Sequence, residues 1–157
     1  MRVLVTADTH GPRHPLPDFL LTAAGEADLI LHAGDACDLP TLLRLGARAP
    51  LYAVRGNRDL DLELPECLLL TVGGVRIGLV HGSEGPGRHT PERAWRSFDP
   101  RPEIIVYGHD HTQRTELREG TWLVNPGSPV KPYDGRRSAL WLEIQGGDVT
   151  WRSILPP

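Results

Sequence analysis

Short unbroken apolar runs alternate along the first third of the chain with segments of helical spacing. The runs at 2–7, 29–33 and 51–54 predict buried strands, because a strand covered on both faces has no reason to alternate. Between the first two, Leu16, Phe19, Leu20, Ala23 and Ala24 recur at helical spacing, with Gly25 as the expected cap beyond that helix. Between the second and third, Leu39, Leu42, Leu43 and Gly46 fall on one side of an expected helix. Asp38 is its expected N-cap and Pro40 sits in its first turn. This β-α-β-α-β alternation implies a parallel sheet with right-handed crossovers.

The remainder reads differently. Runs at 67–72 and 75–80 flank Gly73-Gly74, a two-residue hairpin signal. A glycine-rich loop over 82–89 leads to a short helix expected from Thr90, as cap, to about Phe98, with Pro91 at its first helical position. The run 104–107 is a further strand. Strands at 114–117 and 121–124 turn at Glu119-Gly120, and 139–144 and 149–154 form a closing hairpin through Gly146-Gly147. A long loop with three prolines and two glycines spans 125–137. Two sheets packed face to face with helices outside is the simplest α/β arrangement of these elements.

Chemistry collects where the strands end. The run 104–107 passes through Gly108 into His109 and His111, at the kind of position where open α/β sheets gather their ligands. The first strand runs into Asp8 and His10, the second into Asp35, the third into Asn57 and the strand 75–80 into His81. Carboxylate, imidazole and amide together suit Mn²⁺, Fe²⁺, Zn²⁺, Co²⁺ or Ni²⁺ rather than Ca²⁺, and offer no thiolate set for a structural zinc. Asp8, His10, Asp35, Asn57, His81, His109 and His111 are too many for one tetrahedral ion. They suit two divalent ions sharing a bridging carboxylate. Two metals ~3.5–4 Å apart clamp an in-line displacement at phosphorus.

Bulk properties narrow the setting. A chain of 157 residues suits one domain, residues 1–157, large enough to bury roughly 70% of its unfolded surface. With 39% hydrophobic residues, 24% charged residues and a net charge of −3, no broad basic surface points to extended nucleic acid or anionic membrane. Cys37 and Cys67 form no disulfide framework and suit a reducing, cytoplasmic setting. No run approaches the roughly 18 apolar residues of a membrane span, and Asp8 and His10 interrupt 1–7 too early for a signal peptide.

In order, Asp8-x-His10, Gly34-Asp35, Gly56-Asn57-x-Asp59, His81-Gly82 and Gly108-His109-x-His111 resemble the calcineurin-like metallophosphoesterases, over Met1 to about Pro132. The short length and Asn125-Pro126-Gly127-Ser128 resemble the small phosphodiesterase branch, whose non-catalytic relative is the retromer scaffold subunit. The resemblance implies a four-layer αββα sandwich with a dinuclear site. It implies that Asp8, His10, Asp35 and His111 hold one ion, that Asp35, Asn57, His81 and His109 hold the other, and that Asp35 bridges. The ions are two divalent transition metals, manganese first among Mn, Ni, Fe, Zn and Co.

Arg58 departs from the monoesterase pattern, which has a histidine there that protonates the leaving group. Arginine cannot donate that proton at neutral pH, but it offers a fixed charge and a hydrogen-bonding fork to a phosphoryl group. The expected function is therefore a phosphodiesterase in which a metal-bridging hydroxide attacks phosphorus and Arg58, His10 and His109 are catalytic. The alternatives are a non-catalytic protein-binding scaffold of the same fold, or a phosphomonoesterase or nucleotide hydrolase. The expected partner is a small phosphoester, and a homo-oligomer is compatible with this reading.

Other residues carry plainer expectations. His14, His32 and His89 read as structural or surface histidines, and Asp59 and Asp110 as supports for histidine ligands. Arg88, Arg93, Arg96 and Arg101 read as a solvated helix face paired with Glu92 and Asp99. Trp95, Trp122, Trp141 and Trp151 read as packing residues. Asn125 and Ser128 divide evenly between shaping a loop at the site and lying elsewhere.

Overall fold

The computed structural model describes Met1–Pro157 and contains thirteen regular elements. In chain order they are β1 (Arg2–Thr6), α1 (Asp18–Glu26), β2 (Leu29–His32), α2 (Leu39–Gly46), β3 (Leu51–Ala53), β4 (Cys67–Val72), β5 (Val75–Val80), α3 (Thr90–Arg96), β6 (Ile104–Val106), β7 (Gln113–Arg118), β8 (Thr121–Pro126), β9 (Ala139–Gln145) and β10 (Asp148–Ile154). They form two five-stranded mixed sheets, ordered β10-β9-β1-β2-β3 and β4-β5-β6-β8-β7. Strands β1, β2 and β3 are parallel neighbours, as the alternation of strands and helices implies, and β5, β6 and β8 run parallel in the second sheet.

Each apolar run splits its side chains between two layers because successive residues point to opposite faces. Val3, Val5, Leu29 and Leu31 of the first sheet meet Ile77, Leu79, Ile104 and Val106 of the second in the central core. Leu4 and Ile30 point the other way, onto Leu20, Ala24 and Leu45 of α1 and α2. Ile105, Tyr107 and Leu123 pack with Ala94 and Phe98 on the far side. The result is the αββα sandwich. Truncating a fully buried leucine here, such as Leu31, is expected to cost about 2–5 kcal/mol. The tryptophans do pack: Trp141 is buried, Trp122 meets Trp151 edge to face at 4.4 Å, and Trp95 is covered by the guanidinium of Arg101 at 3.6 Å.

The structure corrects three local expectations. Gly25 is not a cap but lies inside α1, which continues to Glu26 before an extended Ala27. Gly25 lies on the exposed side of a last turn whose Ala23 and Ala24 are buried, so glycine is tolerated there. The chain leaves it because Asp28 is pinned to β1, its N–H donating to the Arg2 carbonyl and its carboxylate accepting from the Arg2 N–H. In α2 the Asp38 cap is as expected, accepting from Thr41 N–H at 3.0 Å, but the buried face is Thr41, Leu42 and Leu45. Leu39 and Leu43 are 54% and 62% exposed. Leucines at 39, 42, 43 and 45 spread over nearly half the helix circumference, so spacing alone offers no unique narrow stripe and docking onto β1 and β2 selects one. The cap of α3 is His89 rather than Thr90, with the His89 imidazole accepting from Glu92 N–H. No helix is long and apolar enough to cross a membrane.

Candidate metal centre

Every residue picked out as a candidate ligand lies just beyond the C-terminal end of a parallel strand. Asp8 and His10 follow β1, Asp35 follows β2, Asn57 follows β3, His81 follows β5, and His109 and His111 follow β6. The two sheets close on each other at this end. His81 Nδ1 donates to the Ala33 carbonyl at 2.8 Å, and His109 N–H donates to Asp8 Oδ2 at 3.0 Å. Glycine is required where the sheets approach. A Cβ on Gly34 would lie 2.6 Å from His81 Nδ1, and one on Gly108 would lie 2.9 Å from the Ala33 carbonyl oxygen.

The backbone bends sharply to aim these side chains inward. Asp8, His10, Asp35, Cys37, His109 and His111 all have positive φ, between 45° and 73°. For residues with a Cβ this conformation costs about 1–2 kcal/mol each, and it persists where the surroundings leave no alternative. Those surroundings are visible. The buried Asp59 carboxylate accepts from the N–H groups of Asp35, Gly56 and Cys37 at 2.8, 2.8 and 2.6 Å. Ser128 Oγ donates to the Asp8 carbonyl at 2.8 Å, and Asn125 Nδ2 donates to the Gly108 carbonyl and to Asp110 Oδ1. Asn125 and Ser128 therefore do shape the site.

Two groups of donor atoms converge. One ligand atom each from Asp8, His10 and His111 lie within 4.8 Å of one another, as do those of Asp8, Asp35 and His81. In the first group His10 Nε2 is 3.3 Å from His111 Nε2, which is 3.4 Å from Asp8 Oδ1. In the second, His81 Nε2 is 3.4 Å from Asp35 Oδ1 and 3.1 Å from Asn57 Oδ1, which is also 3.1 Å from His109 Nδ1. Arg58 donates its N–H to Asp35 Oδ1 at 2.8 Å, while its side chain reaches solvent near Cys37.

The donor chemistry fits a cation. His81 and His111 each spend the Nδ1 proton on a carbonyl, Ala33 and Lys131 respectively, so their neutral forms present Nε2 lone pairs to the centre. Those lone pairs face carboxylate oxygens, an amide oxygen and another imidazole. Asp8 Oδ1 is buried without a hydrogen-bond partner, a costly arrangement unless a positive charge stands against it. Burial lowers the His10 and His109 values below the ordinary imidazole range, which favours the lone-pair form. Burial also pulls His111 down, but the Asp8 carboxylate and the Lys131 carbonyl outweigh it and hold that value up.

Some functional groups escaped sequence reading. The Lys131 and Ala33 carbonyls that orient His111 and His81 are backbone groups with no residue signature. Arg93 is not simply on a solvated face. Its guanidinium donates to the Ser83 and Gly87 carbonyls at 3.4 and 3.2 Å, and its charge helps lower His109. Arg96 does pair with Glu92. His32 is fully buried and within hydrogen-bond distance of Thr9 Oγ1 at 3.0 Å.

Residues 1–147 match the calcineurin-like phosphoesterase superfamily domain. The chain is similar to a probable metallophosphoesterase of Methanothermobacter thermautotrophicus, 32% identical over 93% of this chain and 87% of the relative. It is also similar to the probable metallophosphoesterase YsnB of Bacillus subtilis, 33% identical over 82% of this chain and 75% of the relative. Among solved structures, wild-type Vps29 of Entamoeba histolytica complexed with Zn²⁺ superposes with a TM-score of 0.81 at 27% identity, over 98% of this chain and 91% of that one. With its motifs at the convergent strand ends of an αββα sandwich, the chain belongs to the calcineurin-like phosphoesterase superfamily.

Proposed function

We propose that this protein is a phosphodiesterase dependent on two divalent transition-metal ions, manganese first among the candidates. The observation that carries the reading is the meeting of ligand atoms from His81, Asn57, Asp35, Asp8 and His111 in one cluster, in which Asp8 Oδ1 is buried without a hydrogen-bond partner. Asp8, His10, Asp35 and His111 would hold one ion and Asp35, Asn57, His81 and His109 the other. When bound, such ions supply electrophilic charge to a phosphoryl group and acidify a water nucleophile.

The chain's own residues supply the rest. Asp59 holds the Asp35 and Gly56 backbone rigid, so Asp35 and Asn57 present their oxygens without reorganising. The half-buried imidazoles of His10 and His109, held in the lone-pair form, would act by holding the ions against charge developing on phosphoryl oxygens. Arg58 adds a permanent charge at the solvent side, matched to a diester anion and unable to protonate a leaving alcohol. A small phosphodiester with an acidic leaving alcohol is the substrate class this set suits.

A second reading, a protein-binding scaffold of the same fold, is favoured by the similarity to Vps29. Against it stands the retention of every donor in one convergent cluster, which docking of a partner does not require. The deciding experiment is a metal-by-substrate activity matrix on chelated, reconstituted protein, with matched aryl mono- and diesters. Metal-dependent turnover favouring diesters is expected. Stoichiometric metal binding with no turnover of any ester would instead establish the scaffold.

A further inference from the structure

A cavity of 320 Å³ opens beside His81 and Gly56, immediately next to the donor cluster. Such a volume lies at the lower end of small-molecule sites. Arg55, Glu66 and Cys67 form one wall, Ser83 and Glu84 another, and Ser97 at the end of α3 a third. Its lining sets six polar side chains, Arg55, Glu66, His81, Ser83, Glu84 and Ser97, among glycines and apolar surface, so it suits a group that offers hydroxyls along with a ring better than a plain alkyl chain. Its polar groups are mostly acceptors. The Glu66 and Glu84 carboxylates only accept hydrogen bonds when ionised, and Ser97 Oγ already donates to the Arg93 carbonyl, leaving its lone pairs. Acceptors of net negative charge match hydroxyl donors and repel a second phosphate. Arg55 balances Glu66 alone, through a 2.6 Å ion pair. Arg93 clamps the Ser83 and Gly87 carbonyls, so the loop wall is formed before any ligand arrives.

We propose that this cavity takes one ester arm of the substrate, and that the arm is a neutral hydroxyl-bearing ring system such as a nucleoside or a sugar. The inference rests on the phosphodiesterase reading above. It places that arm on the ester bond that is kept, because its alkoxide is a poor leaving group and Arg58 cannot protonate it.

The test holds the leaving group constant as 4-nitrophenol and varies the kept arm among methyl, phenyl and 5′-thymidyl, in metal-loaded protein. The thymidyl ester is expected to exceed the methyl and phenyl esters by roughly tenfold in kcat/KM, mainly through KM. Filling the cavity with Cys67→Trp should collapse the thymidyl-to-methyl ratio towards one. Blocking the exposed Cys67 thiol of the wild type with a bulky methanethiosulfonate should do the same, and thiol reduction should reverse it. Equal values for all three esters, a phenyl preference, or a thymidyl advantage that survives both blocks would overturn the proposal. Absence of turnover of all three esters, with both metals bound, would instead sink the underlying phosphodiesterase reading.

Discussion

Asn57 Oδ1 stands 3.1 Å from Nε2 of His81, and since His81 donates from Nδ1 to the Ala33 carbonyl, the neutral ring sets one acceptor against another there. The same oxygen lies 3.1 Å from His109 Nδ1, so one amide joins ring nitrogens carried by two parallel strands of the second sheet. Such a contact is unfavourable in isolation and favourable around a cation. Asn57→Ala and His81→Ala are therefore expected to drop the bound metal from two equivalents towards one, and Asp35→Ala to lose both. Elemental analysis after dialysis reads the stoichiometry. A wild-type protein that takes up no transition metal under any loading condition contradicts the site.

Metal should also stabilise the fold. Asp8 and Asp35 share a group of ligand atoms within 4.8 Å, and Asp8 Oδ1 has no partner of its own. A ligand at 100 times its Kd adds about 2.7 kcal/mol through binding to the folded state alone. Melting curves of chelated and manganese-loaded protein should differ by several degrees. Coincident curves would mean that these carboxylates do not bind a common ion.

Arg58 is the test of selectivity. Its backbone is tied to Asp35, and its side chain extends to solvent beside the site. Removing one electrostatic contact to a transition state typically costs about 10²-fold, the drop expected for Arg58→Ala in diester kcat/KM. Arg58→His should lose part of that and gain monoester activity, since an imidazole titrating near neutrality can protonate a leaving group. An identical mono-to-diester ratio in wild type and both variants would show that Arg58 faces away from the substrate.

His32 sets an acid limit on stability. Burial is the main cause pushing its value from 6.5 down to about 4, against the opposing carboxylates of Asp59 and Asp8. The unfolded chain thus takes up this proton as pH falls below 6.5, while the folded protein resists until about 4. Stability is present above 6.5 and declines between those values, by up to about 3 kcal/mol for this one group. In the metal-free protein, His32→Gln should flatten that decline. Urea midpoints measured between pH 7 and 4 check it, and parallel pH slopes in the two proteins would assign the acid loss to other groups.

Much of this architecture is local and hence readable from the chain. The strands around 2–7, 29–33 and 104–107 are apolar runs, and each of the hairpins at Gly73-Gly74 and Gly146-Gly147 pairs two strands adjacent in the chain. The donor types at each strand end are also matters of residue identity, so Asp8, His10, Asp35, Asn57, His81, His109 and His111 could be named as candidates before any fold was known. Parallel strands point their C-terminal ends to one side, which is why these separated segments meet.

What only the tertiary structure decided are relations between groups that share no local pattern. Leu45 rather than Leu43 is buried in α2 because the packing surface of β1 and β2 selects the helix face. The His81 and His111 tautomers follow from backbone carbonyls at Ala33 and Lys131, 48 and 20 residues away, and every residue has a carbonyl. Arg93 turns from the helix surface to the Ser83 and Gly87 carbonyls because its own loop folds back over it. The positive φ values at Asp8, His10, Asp35, His109 and His111 run against the preference of each residue, and are held by Asp59, Asn125 and Ser128 from elsewhere in the chain. Local sequence specifies which groups are offered; only the packing of the two sheets brings lone pairs face to face and fixes the protons that leave them bare.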